Sequence, residues 1–200
     1  GSGGGAAGGA TLTLDGGATL TIGATITAAA DGHGTLVIDN TDGTGYTFSS
    51  TIGASGTDLK AVTVDGAGAS HAHFTGDVYA DTVTGNSEHG TTTADFNGNV
   101  VATTLTLSDG AGNDTVTATF AKDVTGAATL TDSGGADDVI MKFDGNTAQT
   151  VASTIAGANA GEGTVQVSNV TAGAGVTFQS AISNIHNLVL DTSSISTFES

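Results

Sequence analysis

The feature that most limits what this chain can fold into is a repeat across its middle, with a phenylalanine marking each unit. Phe74-Thr-Gly-Asp-Val78, Phe96-Asn-Gly-Asn-Val100, Phe120-Ala-Lys-Asp-Val124 and Phe143-Asp-Gly-Asn-Thr147 align, and their phenylalanines recur at successive offsets of 22, 24 and 23. The far ends of two units agree without a gap: Leu107-Ser-Asp109, running to Phe120, maps at an offset of 23 onto Leu130-Thr-Asp132, running to Phe143. A fixed period of about 20 to 50 residues marks a stack of like units, each burying its apolar side on the next. Apolar residues alternate within a unit, as in Val116-Thr-Ala-Thr-Phe120 and Leu105-Thr-Leu107, so the unit is made of strands. The chain is therefore predicted to be all-β, a parallel β-helix (β-solenoid) with coils of about 22–26 residues, the longest being the step from Phe48 to Phe74.

The rest of the chain is read against that rhythm. Residues 1–9 are glycine-rich, and residues 10–200 are expected to form a single solenoid domain of roughly seven or eight coils. Ala10-Thr-Leu12-Thr-Leu14 and Ala18-Thr-Leu20-Thr-Ile22 read as short strands separated by an Asp-Gly-Gly turn. Past Phe143 the next comparable phenylalanine is Phe178, at an offset of 35, so Phe178 is expected to resume the row after a lengthened coil. The Ala- and Gly-rich residues 156–163 are the expected loop insertion.

Composition narrows the function classes. Leu, Ile, Val and Phe make up 42 of 200 residues, close to the level at which a highly charged chain is suspected of disorder. The repeat and the strand alternation argue for a fold, because a narrow solenoid needs little core per residue. Proline is absent, as suits a chain in which nearly every rung needs its N–H donors. The net charge is −17, with Lys60, Lys122 and Lys142 as the only cationic lysine or arginine side chains; such a surface repels phosphate backbones and excludes a nucleic-acid partner. Without cysteine there is no disulfide and no thiolate chemistry. No apolar run approaches the roughly 18 residues that span a bilayer, so no transmembrane segment is expected. Residues 1–9 do not read as a signal peptide, so the expectation is a mature product, an excised segment, or export without an N-terminal mark.

One turn carries a sharper pattern. Asp109-Gly110-Ala111-Gly112-Asn113-Asp114-Thr115-Val116-Thr117 resembles the G-G-x-G-x-D-x-U-x nonapeptide of calcium-binding RTX proteins, with Gly110, Gly112, Asp114 and Val116 matching. Gly135, Asp137 and Val139 match one coil later, where Asp132 and Ser133 depart from the pattern; the motif here returns once per coil, not in tandem, so a similar turn is read and not an RTX domain. If the offset is a rung, Asp109 lies over Asp132 and Asp114 over Asp137, like charges about 5 Å apart. That repulsion is relieved by water, by a shared proton or by a hard cation, and carboxylates beside turn carbonyls suit Ca²⁺. Asp109, Asp114, Asp132 and Asp137 are thus the candidate metal ligands, with Ca²⁺ as the cofactor; solvated turn aspartates are the other reading. Asp39 with Asp42, Asp65, and Asp77 with Asp81 are weaker candidates, since Asx residues serve turns through backbone geometry alone. His71-Ala-His73 puts two imidazoles on one strand face, but no third ligand is legible beyond Glu88-His89, so exposed strand histidines are expected. A polysaccharide-cleaving solenoid would want arginine or aromatic subsites; the chain has no arginine or tryptophan and only Tyr46 and Tyr79, so no enzyme is expected.

Phe96-Asn-Gly-Asn-Val-Val-Ala-Thr-Thr-Leu-Thr-Leu107 and Phe74-Thr-Gly-Asp-Val-Tyr-Ala-Asp-Thr-Val83 resemble the Thr/Gly/Asn-rich strand repeats of bacterial surface proteins, namely S-layer proteins, autotransporter passengers and large adhesins. The resemblance implies an extracellular structural role at the cell surface, calcium-dependent in the S-layer case, with no catalytic residues. A self-assembling surface layer, lattice or filament is the first expectation. The alternative is a binding module, either an adhesin stalk or a bacteriophage fibre or decoration protein on a virion. The expected partners are copies of itself, further domains of a longer chain, or a surface glycan.

Overall fold

The computed structural model describes residues 9–41, 45–66, 68–88, 90–110, 114–133, 139–168, 175–191 and 195–199. Among these every regular element is a strand, and every strand pair is parallel. Eleven strands form one sheet and eight the other, with the chain passing alternately between them, so the architecture is the expected β-solenoid of about seven turns. Eight rungs at about 4.8 Å make a rod roughly 35 Å long.

The phenylalanine spacing is the rung spacing. Phe48, Phe74, Phe96, Phe120 and Phe143 are register partners on successive strands of the smaller sheet. Their rings are fully buried, and the first four stack face to face with centroids 5.0, 4.9 and 5.1 Å apart. Each ring covers the apolar face of the next, which adds a stacking contribution to plain burial.

Through the middle coils strand alternation is clean except at one point in each. Along Val78–Ser87 the inward residues are Val78, Ala80, Val83, Gly85 and Ser87, and the phase slips because Asp81 and Thr82 both face outward. The same slip falls at Thr103–Thr104 in Val100–Asp109 and between Thr125 and Ala127 in Val124–Thr131. Two successive outward residues bend a strand, so each coil has three legs: a short one (residues 100–102), a long one (residues 104–109) and a third in the other sheet (residues 115–120). In Val124–Thr131 the bend requires glycine. Gly126 has φ 121°, and a Cβ there would lie 2.2 Å from the carbonyl oxygen of Ala102 in the coil below.

Past Phe143 the structure departs from the expected row. The rung partner of Phe143 is Val167, a single ordinary coil further on, and then Leu190. Phe178 belongs to the larger sheet, where it pairs with Val151 and then with Phe198. Its ring still meets Phe143, edge to face at 88° and 5.4 Å, and stacks on Phe198 at 5.2 Å. Valine leaves a ring-sized volume above Phe143, and a phenylalanine from the opposite wall fills it. All seven phenylalanines thus form one column that changes wall midway. Ala156 and Gly157 end the strand Thr154–Gly157, and residues 158–163 connect it to Thr164–Val167.

Inward polar side chains close the corners. Gln149, 1% exposed, donates through Nε2 to the carbonyls of Phe120 and Lys122 and accepts from the Gly145 N–H. Asn40 accepts the N–H of His71 and donates to its carbonyl, standing in for a strand at that rung.

Candidate functional site

The candidate ligands lie at the end of the long leg. Asp109 ends the strand Val100–Asp109 as its last inward residue, and Asp114 directly precedes the strand Thr115–Phe120. Asp109 is 3% and Asp114 7% exposed, so neither is an ordinary solvated turn residue. Thr131 pairs with Ser108, which brings Asp132 into the coil directly above Asp109. Asp137 lies outside the described residues, as do Asp42 and His89.

Backbone donors from adjacent coils relieve much of the crowding that like charges in a stack create. Asp109 Oδ1 accepts the N–H of Ser133 at 2.6 Å from the coil above, and Asp114 Oδ1 accepts the N–H of Gly90 at 2.7 Å from the coil below. Asp31, Asp77 and Asp123 do the same for the N–H groups of Asp58, Asn99 and Thr150, at 3.0, 2.8 and 2.7 Å. These carboxylates act as clamps between coils, because each accepts a backbone N–H of an adjacent coil.

Asp114 Oδ2 is buried and meets no hydrogen-bond donor among the described residues. It faces Gly110 together with two carbonyls of the coil below: a Cβ on Gly110 would lie 2.8 Å from Asp114 Oδ2, 2.7 Å from the Ser87 carbonyl oxygen and 2.9 Å from that of Glu88. Only glycine fits there, and all three groups are oxygen acceptors. An oxygen-only donor set of carboxylate and carbonyls is the chemistry of a hard cation such as Ca²⁺, and the residues present fit one in kind. Among the described residues no group of three or more histidine, aspartate or glutamate side chains is arranged to hold a metal, so carbonyls would have to supply part of the shell.

The weaker candidates separate into different surroundings. Asp65 accepts from Asn86 Nδ2 at 3.2 Å; burial raises its pKa, the Asn86 bond opposes that, and Glu88 and Asp39 push it up further. Asp81 adds to the repulsion on Asp58, whose pKa is raised by burial, by Asp31 and by Asp81 on successive coils. Asp77 also accepts the Tyr79 hydroxyl at 3.3 Å.

The histidines have a partner that the sequence reading missed. His71 Nε2 lies 2.8 Å from Asp95 Oδ2, and His73 Nδ1 lies 4.0 Å from the same oxygen. Asp95 is the register partner of His73, at the offset already legible between Phe74 and Phe96. The bond to Asp95 raises the His71 pKa, against a smaller lowering by burial. Burial pulls the Asp95 carboxyl upward, but His71, Thr119 and His73 together hold it below the usual range.

The first and last described coils carry exposed apolar side chains. Leu12 and Leu20 on the first coil are 43% and 44% exposed, while Leu188, Val189, Leu190, Ile195 and Phe198 on the last are 41 to 54% exposed. No helix among the described residues is long and apolar enough to cross a membrane. Comparison with protein families, with curated proteins and with solved structures returns no match to this chain.

Proposed function

We propose that the protein is a non-enzymatic structural solenoid of the extracellular bacterial surface, one that self-assembles into a layer, lattice or filament stabilised by calcium. The observation that carries the self-assembly reading is the state of the terminal coils, where large apolar side chains stand half exposed on strands that have, among the described residues, a neighbour on one side only. Such edges are templates for further pairing and are covered when solenoids end as discrete bodies. The buried Asp114 Oδ2, with no donor among the described residues and two carbonyls beside it, supports the calcium component, and a net charge of −17 gives cation binding a reason. The RTX-like turn and the surface-protein resemblance agree with this setting.

The test is particle size and thermal unfolding of the protein with Ca²⁺, with Mg²⁺ and with a chelator. Calcium at 100 times its Kd should stabilise the fold by about 2.7 kcal/mol. Asp114→Asn should abolish that gain while keeping the Gly90 bond through its side-chain oxygen. Equal melting in all three conditions removes calcium from the proposal. A particle that stays monomeric at high concentration and binds a glycan or a capsid favours the adhesin-stalk or phage-fibre alternative.

A further inference from the structure

We infer that the surface through which copies join is end to end and head to tail, with the first coil of one molecule continuing the last coil of another in a single register. This rests on the self-assembly reading above and specifies its interface. Four inward rows of the solenoid can be followed rung by rung from one end to the other. In the smaller sheet one row runs Leu20, Tyr46, Ala72, Ala94, Ala118, Met141, Val165, Leu188, and a second begins at Ile22 and ends at Leu190. On the long leg a row begins at Leu12 and ends at Ile182. On the short leg one runs from Ile26 through Ile52 and Val78 to Phe198. All four rows start and finish on an apolar residue.

A second copy placed one rung on puts its Leu12 over Ile182, Leu20 over Leu188, Ile22 over Leu190 and Ile26 over Phe198. Every strand in the junction is parallel to its neighbour, as throughout the rod. Counting along the same register, Asp191, Glu199 and Asp15 fall opposite Gly23, Thr27 and Ile185, so no acid meets an acid across the junction despite the charge of −17. The contact joins two different surfaces, and repeating it generates an open filament and not a closed ring.

The experiment uses one charged variant at each end of the 200-residue chain. Leu20→Asp blocks the first coil and Leu190→Asp the last; both sites are exposed in the single molecule, so unchanged circular dichroism and melting are expected. Burying an unpaired aspartate costs several kcal/mol, so each variant alone should need a protein concentration more than about tenfold higher to assemble. An equimolar mixture should form a dimer and nothing longer, because it contains one intact pair of ends. Leu12→Asp with Leu188→Asp repeats the test should either first variant fold poorly. Variants that still assemble like the parent would place the junction on a lateral face, overturning the head-to-tail inference while leaving self-assembly standing. A mixture that stays monomeric while the parent assembles also overturns it. A parent chain that remains monomeric overturns both, and would fit ends that are covered by flanking segments of a longer chain.

Discussion

Truncating Phe120 to alanine tests the column on which the solenoid is built. The side chain is 1% exposed, with its ring centroid 5.1 Å from Phe96 and 5.7 Å from Phe143. Removing a buried ring costs about 3–5 kcal/mol, as lost transfer free energy plus the cavity that remains. The upper part of that range applies, because the ladder fixes neighbouring coils about 4.8 Å apart and the walls cannot close over the gap. For a chain of this size about 2–4 °C is lost per kcal/mol, so the melting midpoint should fall by about 8–20 °C. Phe198→Ala is the control: that ring is 50% exposed and stacks on Phe178 alone at 5.2 Å, so it should cost less than about 1.5 kcal/mol in the single molecule. Calorimetry below the assembly concentration, backed by urea titration, measures both. A Phe120→Ala loss below about 1 kcal/mol, or equal losses at the two sites, would mean that the rings do not form the core.

Three further substitutions probe the bend and the surface pair. Gly56→Ala, at φ 79° with open space around it, should cost about 1 kcal/mol of backbone strain, whereas Gly126→Ala should cost several times that because its Cβ would strike the Ala102 carbonyl; equal melting of the two variants would refute the bend geometry. For the His71–Asp95 pair the His71 pKa is raised above 6.5 and the Asp95 pKa lowered below 3.8, so its contribution is greatest between those values. It should fade as pH rises through the raised His71 value, and also as pH falls through the lowered Asp95 value. With both side chains about a third exposed, the effect is about 0.2–1 kcal/mol. Asp95→Asn should flatten the alkaline limb of melting against pH, and an unchanged limb would show that the pair is not coupled to stability.

The sequence alone determined the rung. Phenylalanines at offsets of 22, 24 and 23, with period-two alternation between them, leave one way to bury every ring, and the register pairs from Phe48 to Phe143 follow from it. The same offset would have paired His73 with Asp95 had it been applied to the outward residues. Tertiary structure decided what depends on volume and direction across the core. Val167 occupies the next rung after Phe143, but it is too small to fill its layer, so Phe178 enters from the other wall; no one-dimensional spacing reports a space shared by two sheets. The aspartates show the same limit. Their stacking was legible as repulsion, but Asp109 and Asp114 turn one oxygen each to an N–H of an adjacent coil, and that depends on where a turn leaves a backbone donor unpaired. The donor set at Gly110 is likewise a product of the fold, because two of its three oxygens are main-chain carbonyls and carry no signature in the side-chain sequence.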